Sequence, residues 1–176
     1  FLLINFAGAS DIEEANQTPV YTMEQNIIGN LNILNACKTI NLKRFIYASS
    51  AYAFSDKGGF YGISKLASEK IIEEFWARFK IPYTIIRYGS VYGERAGPNN
   101  GMVQILSQAL SDRVITHAGD GESVREYIHA ADAAKLSADI VESKSYENNH
   151  LVLTGVERLK HKDLYKMIQD ILPFEV

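Results

Sequence analysis

The sequence has little of what marks several functional classes. Its single cysteine, Cys37, excludes an internal disulfide framework and is expected to be a core residue in a reducing compartment. The four histidines lack metal-ligand spacing, so no metal site is predicted. The net charge is −3, and no basic run interleaved with aromatics occurs, which disfavours nucleic-acid binding. No apolar stretch approaches the roughly 20 residues of a membrane-spanning helix.

What is present is the composition of an ordinary globular, cytoplasmic protein. The 176 residues are 47% hydrophobic and 22% charged, enough for one sizeable core. The segment Phe1–Phe6 opens directly in a buried-strand pattern, and Pro173–Val176 follows a helical pattern. We therefore expect the chain to be the middle of a longer protein.

Short apolar runs alternate with longer helical patterns along the chain. Strands are predicted at residues 1–7, 43–48, 82–87, 113–117, 124–128 and 149–153. Helices are predicted at residues 22–40, 60–79, 99–111, 130–142 and 160–172. The first three strands are apolar almost throughout, as in a parallel sheet covered on both faces. The alternation predicts an α/β doubly wound sheet, in which ligands bind at the carboxyl edge of the strands.

The predicted strands shorten after residue 111, and the turns become glycine-rich, as in Gly119–Glu122. We therefore divide the chain into a main domain over residues 1–111 and a smaller lobe over residues 112–176. The lobe is expected to fold against the sheet and to bind substrate.

The most informative pattern is Tyr61-Gly-Ile-Ser-Lys65, which follows Ser50 at the end of a predicted strand. Residues four apart share one face of a helix, so the Tyr61 phenol and the Lys65 ammonium can serve one site. A nearby cation lowers the pKa of a phenol and makes it a better base toward an alcohol. Ser50 could orient the same oxygen. A packed aromatic beside a solvated lysine is the competing interpretation of the bare motif.

Six motifs in order resemble the extended short-chain dehydrogenase/reductases, and within them the NAD-dependent nucleotide-sugar epimerase/dehydratase group that includes UDP-glucose 4-epimerase. They are Asn5-Phe-Ala-Gly8, Asn26-Ile-Ile-Gly-Asn30, Arg44-Phe-Ile-Tyr-Ala-Ser-Ser50, Tyr61-Gly-Ile-Ser-Lys65, Arg87-Tyr-Gly-Ser-Val-Tyr-Gly93 and Gly119-Asp-Gly-Glu-Ser-Val-Arg-Glu-Tyr-Ile-His129. The resemblance implies a Rossmann-like sheet whose N-terminal part, with its glycine-rich phosphate loop, is missing from this chain.

The resemblance also implies roles for individual residues. The catalytic residues would be Ser50, Tyr61 and Lys65. The cofactor, NAD with NADP left open, would contact Phe6, Ala7, Gly8, Asn26, Ser49, Tyr61, Lys65 and Tyr88. The nucleotide-sugar substrate would contact Ser50, Ser90 and Arg125, with the Arg125 guanidinium on its diphosphate.

Family members commonly form homodimers through a helix bundle, which implies pairing through helices 22–40 and 60–79. The candidate contact residues are Ile72, Phe75, Trp76 and Phe79. Burial of these side chains in the chain's own core is the competing interpretation.

Departures from the family motifs narrow the chemistry that the resemblance implies. The residues after Ser50 are Ala51 and Tyr52, with no carboxylate before Asp56, which disfavours sugar 4,6-dehydration. Tyr52 also occupies the place of the cysteine of the 3,5-epimerase-reductases. The expected reaction is therefore epimerisation of a nucleotide sugar through a transient keto-sugar, with Tyr61 as acid and base. A reductase or dehydrogenase acting on a keto-sugar or other small carbonyl, and a non-catalytic dinucleotide-binding scaffold, stay open as alternatives.

Overall fold

The computed structural model of the chain describes residues 1–172. The strands are β1 (Leu2–Asn5), β2 (Arg44–Ser50), β3 (Tyr83–Tyr88), β4 (Ser90–Tyr92), β5 (Val124–Arg125), β6 (Tyr127–His129), β7 (Asn149–Leu153) and β8 (Leu159–Lys160). The α-helices are α1 (Ile12–Gln17), α2 (Pro19–Met23), α3 (Gly29–Cys37), α4 (Gly59–Phe79), α5 (Gly101–Ser107), α6 (Ala130–Glu142) and α7 (His161–Ile171). Two π-helical segments, π1 (Glu24–Ile28) and π2 (Gln108–Asp112), directly follow α2 and α5.

The predicted parallel sheet is present. Its four strands lie in the order β1-β2-β3-β7, and every neighbouring pair is parallel. Strand β2 is the most buried, as the apolar run in its sequence predicts. The carboxyl ends of β1, β2 and β3 therefore meet at one edge, with Asn5 opposite Tyr47 and Ser50 opposite Tyr88.

The main core lies between one face of this sheet and helices α3 and α4. Apolar side chains at alternate positions of β2 and β3 pack on helical residues such as Leu34 and Ile72. Phe75 and Trp76 pack against the same cluster. Ile72, Phe75 and Trp76 thus pack in the core of their own chain, which was the competing interpretation to a dimer contact.

Two compact units divide the chain. The first consists of Phe1–Tyr88 and Leu136–Leu153 and contains the parallel sheet. The second consists of Gly89–Lys135 and the segment from Thr154 onward. It contains the parallel pair β4–β6, the antiparallel pair β5–β8 and a core around Ile115 and Leu164. The boundary between residues 111 and 112, drawn from strand length and glycine-rich turns, stays a prediction.

Local corrections concern short elements. The predicted strand over residues 113–117 is wrong: π2 extends to Asp112, and Arg113 then adopts a left-handed conformation with φ of 56°. Helix α1 was missed, although Asp11 caps it by accepting a hydrogen bond from the Glu14 N–H (2.9 Å). Among the described helices, none is long and apolar enough to cross a membrane.

Candidate active site

Ser50, Tyr61 and Lys65 come together at the carboxyl edge of the sheet. Ser50 ends β2, and its hydroxyl hydrogen-bonds the phenol of Tyr61 from the first turn of α4. One turn further along α4, the Lys65 ammonium donates to the Ala48 carbonyl of β2 (2.9 Å). Its Nζ lies 5.8 Å from the centre of the Tyr61 ring. All three side chains are more than nine-tenths buried.

Glycines let the start of α4 approach the turn that follows Ser50. A Cβ on Gly62 would lie 2.6 Å from the Tyr52 carbonyl oxygen, and one on Gly58 would lie 2.8 Å from the same atom. Neither position could carry a side chain without moving the helix. The Ser50 hydroxyl also accepts a hydrogen bond from the Tyr52 N–H (3.2 Å), which fixes the turn. The distance between the Ser50 and Tyr61 side chains is thus set by the packing of the α4 backbone on the turn after Ser50.

The protonation of the two titratable groups is governed by burial. Burial raises the pKa of Tyr61, the Ser50 hydrogen bond lowers it, and neighbouring Tyr52 raises it. The pKa of Tyr61 is therefore raised, and not lowered as expected, because loss of solvent is the largest effect. Burial also lowers the pKa of Lys65 to about 8, against the opposing effect of the Glu69 carboxylate. Tyr61 is therefore a protonated phenol at neutral pH, whereas the pKa of Lys65 lies close to neutral pH.

The loop after β1 lies next to Lys65. Gly8 has φ of 149°, and a Cβ there would lie 2.5 Å from the Asn26 amide oxygen and 3.9 Å from Lys65 Nζ. Asn26 holds the loop from π1: its amide accepts from the Ala9 N–H (2.8 Å) and donates to the Ala9 carbonyl (2.9 Å). It also donates to the Ser64 hydroxyl (2.8 Å). The packing of this loop on Asn26 therefore requires glycine at position 8, and the loop backbone lies beside the buried Lys65 ammonium.

The other predicted cofactor residues are placed as follows. Phe6 is 65% exposed, and its ring lies 6.1 Å from that of Tyr88, so both aromatics border the same edge. The Tyr88 hydroxyl bonds Ser137 (2.7 Å). Ala7 donates its N–H to Asn5 (3.0 Å). The Ser49 hydroxyl donates to Glu69 in the interior (2.5 Å), and its predicted cofactor contact stays a prediction.

The remaining predicted substrate residues belong to the second unit. Ser90 begins β4, and Arg125 ends β5, where it donates to the adjacent Val124 carbonyl (3.1 Å). Both are partly exposed, and their contact with substrate stays a prediction. Within residues 1–172, no group of three or more acidic, histidine or cysteine side chains is arranged to hold a metal ion.

Sequence reasoning missed Glu69 and Arg87 as partners of the site. Glu69 is fully buried one helical turn beyond Lys65, and Arg87 pairs with it from β3. The available signal was the four-residue step from Lys65 to Glu69, because a carboxylate on a buried helix face requires a partner.

Comparisons with known proteins give a family and a fold for the chain. Residues 2–153 match the model of the NAD dependent epimerase/dehydratase family. The chain is 26% identical over 158 residues to an uncharacterized UDP-glucose epimerase of Bacillus subtilis, covering 83% of this chain and 50% of that protein. It is 26% identical over 165 residues to the UDP-glucose 4-epimerase of Yersinia enterocolitica, covering 76% and 49%. The chain thus spans about half the length of these curated relatives.

A solved structure shows the same fold. The UDP-glucuronic acid 4-epimerase of Bacillus cereus, crystallised with UDP-glucuronic acid and NAD, superposes with a TM-score of 0.90 at 24% identity. The match covers 99% of this chain and 61% of that one. The predicted Rossmann-like α/β fold is therefore confirmed.

Proposed function

The chain belongs to the NAD-dependent epimerase/dehydratase family, and we propose that the complete protein epimerises a nucleotide sugar through a transient keto-sugar. The observation that carries this proposal is the meeting of Ser50, Tyr61 and Lys65 at the carboxyl edge of the sheet. Two relatives named as UDP-glucose epimerases and a structural neighbour named as a UDP-glucuronic acid 4-epimerase support the substrate class.

In this proposal Tyr61 moves the proton of a sugar hydroxyl. As the phenolate, Tyr61 accepts that proton while the hydroxyl carbon is oxidised, and as the phenol it returns the proton when the ketone is reduced on the other face. Ser50 holds the phenol by a hydrogen bond and can donate to the same sugar oxygen. Lys65 keeps a positive charge on the site below its pKa of about 8, which favours charge on the Tyr61 oxygen as the proton moves.

NAD fits the residues beside this site. The loop of Gly8 lies beside the Lys65 ammonium, Asn26 holds that loop, and exposed Phe6 provides an apolar surface. When bound, NAD⁺ would supply the hydride acceptor and a positive charge that favours the Tyr61 phenolate. Lys65 would bond the cofactor ribose, as the family resemblance implies.

The test is to incubate the complete protein with UDP-glucose and UDP-glucuronic acid and to follow both 4-epimers by NMR. We expect interconversion to a mixture of epimers, with NAD retained through purification and no net NADH. NADH accumulating in proportion to product would assign the protein as a dehydrogenase instead. Cofactor binding without turnover of any nucleotide sugar would favour the scaffold alternative.

Arg125→Ala is expected to weaken nucleoside diphosphate sugar binding by roughly 1.5–3 kcal/mol, the range for a hydrogen bond to a charged group. The reason is the loss of a planar set of donors suited to a diphosphate. Calorimetry of the complete protein measures the change, and NAD affinity should stay the same. Arg158→Ala is the matched control, because Arg158 is an exposed arginine of the same unit paired with Glu126 (2.9 Å). Equal affinity in the Arg125 variant and the parent would refute the diphosphate role.

We also propose that the protein is a homodimer through the two predicted helical segments, residues 22–40 and 60–79, but through other side chains than Ile72, Phe75 and Trp76. The candidate contact residues are exposed apolar side chains of π1 and the first half of α4: Ile28, Phe60, Ile63 and Leu66 are between 37% and 58% exposed. Ile63→Glu would place a charge in a buried contact, so the mass in light scattering should fall from dimer to monomer. Met167→Glu, at an exposed position of α7, should leave the mass unchanged. A monomeric parent at micromolar concentration would end the proposal.

A further inference from the structure

Glu69 is a buried carboxylate that the proposed proton transfer does not use. It is fully buried on α4. Its Oε1 accepts from the Ser49 hydroxyl (2.5 Å) and from Arg87 Nε (2.9 Å), and its Oε2 accepts from Arg87 Nη2 (2.5 Å). Two parallel N–H bonds from one guanidinium form a bidentate pair, the strongest and most directional type of charged contact. Such a pair fixes the orientation of the helix that carries Glu69.

Arg87 extends this network to the turn after Ser50. Its side chain reaches from β3, is 12% exposed, and lies with its guanidinium carbon 3.5 Å from the centre of the Phe54 ring. Phe54 ends the turn over Ala51–Phe54 that the Ser50 hydroxyl caps. The chain of contacts therefore joins β2 next to Ser50, the turn after it, β3, and α4 one turn beyond Lys65.

We propose that Glu69 is a positioning residue for the active site: its ion pair with Arg87 and its hydrogen bond to Ser49 hold α4, and with it Lys65, in place against the strand that ends in Ser50. This inference deepens the proposed function, since it gives a role to a residue behind the same site. Glu69 acts on substrate only through Lys65 and Ser50.

The charges around both groups agree with this role. Lys65 faces the Tyr47 and Tyr61 rings and the Ala48 carbonyl, and the Glu69 carboxylate raises its pKa against the larger effect of burial. On its other side Glu69 faces Arg87 and, from β7, His150, whose Nδ1 lies 3.7 Å from Oε2.

The nearest further charges belong to the next turn of α4. Glu73 contacts His150 Nε2 (3.0 Å) and pairs with exposed Lys70 (2.9 Å). Glu69 thus supplies the negative charge one turn from Lys65, while Glu73 lies a turn further on. This difference makes the two glutamates a matched pair for an experiment.

The experiment follows the ¹³Cε shift of Lys65 against pH in the complete protein labelled on lysine, with Lys65→Arg identifying the resonance. Glu69→Gln should move the titration midpoint down by about one unit, the size expected when an opposite charge nearby is lost. Glu73→Gln should leave the midpoint in place. Glu69→Asp should restore most of it, because the charge is kept. An unchanged midpoint in Glu69→Gln would overturn the proposal.

A second variant tests the proposal if Glu69→Gln does not fold. Glu69→Gln leaves the Arg87 guanidinium buried without its carboxylate, which is costly. Glu69→Gln/Arg87→Met removes both partners, and its Lys65 midpoint should also lie below that of the parent. Because no substrate or cofactor enters the measurement, its result is independent of whether the protein epimerises a sugar. A parent-like midpoint in a folded double variant would equally refute the role of Glu69.

Discussion

Tyr61→Phe in the complete protein is expected to lower kcat by about 10²–10⁴-fold, the usual contribution of a positioned acid or base. The substitution removes only the phenolic oxygen, the atom that hydrogen-bonds Ser50. The ring stays in its buried position, so KM for the nucleotide sugar should change little. Initial rates of epimer formation, measured over a range of substrate concentrations, separate the two parameters.

The matched control for this variant is Tyr83→Phe, which removes the oxygen of another buried tyrosine in the same unit. That tyrosine lies in the core cluster and outside the site, so kcat should stay close to that of the parent. Near-normal turnover in Tyr61→Phe would contradict the assignment of Tyr61 as the acid and base. A rise in KM with kcat unchanged would assign it to substrate binding instead.

Arg44→Met is expected to destabilise the protein by about 2–4 kcal/mol, because buried acceptors lose their donors at about 1–3 kcal/mol each. Arg44 is the first residue of β2, and its buried side chain donates hydrogen bonds to the end of α6. Its Nη1 donates to the Ser143 carbonyl (2.7 Å), and its Nη2 donates to the carbonyls of Ile140 (3.3 Å) and Val141. A cation at this end also complements the helix dipole.

Urea denaturation followed by circular dichroism measures this loss of stability. Lys43→Met is the matched control: it removes the same charge from the adjacent, exposed position, where a change within about 0.5 kcal/mol is expected. Arg44→Lys should fall between the two, since one ammonium cannot replace a planar fork of donors. If Arg44→Met costs no more than Lys43→Met, the capping role is wrong.

The parallel sheet and the active-site trio were predictable from the sequence for related reasons. Apolar runs in β1, β2 and β3 alternate with helical patterns, which is the local signature of a covered parallel sheet. The four-residue step from Tyr61 to Lys65 uses the period of the helix. Both patterns are properties of residues close together in the chain, so they can be recognised from the sequence alone.

Apart from the short elements, the errors concern contacts between residues far apart in the chain. Whether Ile72 faces the core or solvent depends on which side of α4 meets the sheet, and the helix carries apolar side chains on both. The pKa of Tyr61 was expected to fall and rises instead, because the number of atoms excluding water from the phenol is set only after packing.

By itself, the sequence determined the family, the order of the main strands and helices, and the choice of Ser50, Tyr61 and Lys65 as candidate catalytic residues, because these depend on local pattern and spacing. Only the tertiary structure decided that Arg87 and Ser49 would be the partners of Glu69, and that Arg44 would cap a helix nearly a hundred residues later in the chain. The physical reason is that a buried charge is stable only with a specific partner, and folding brings that partner from a distant part of the chain.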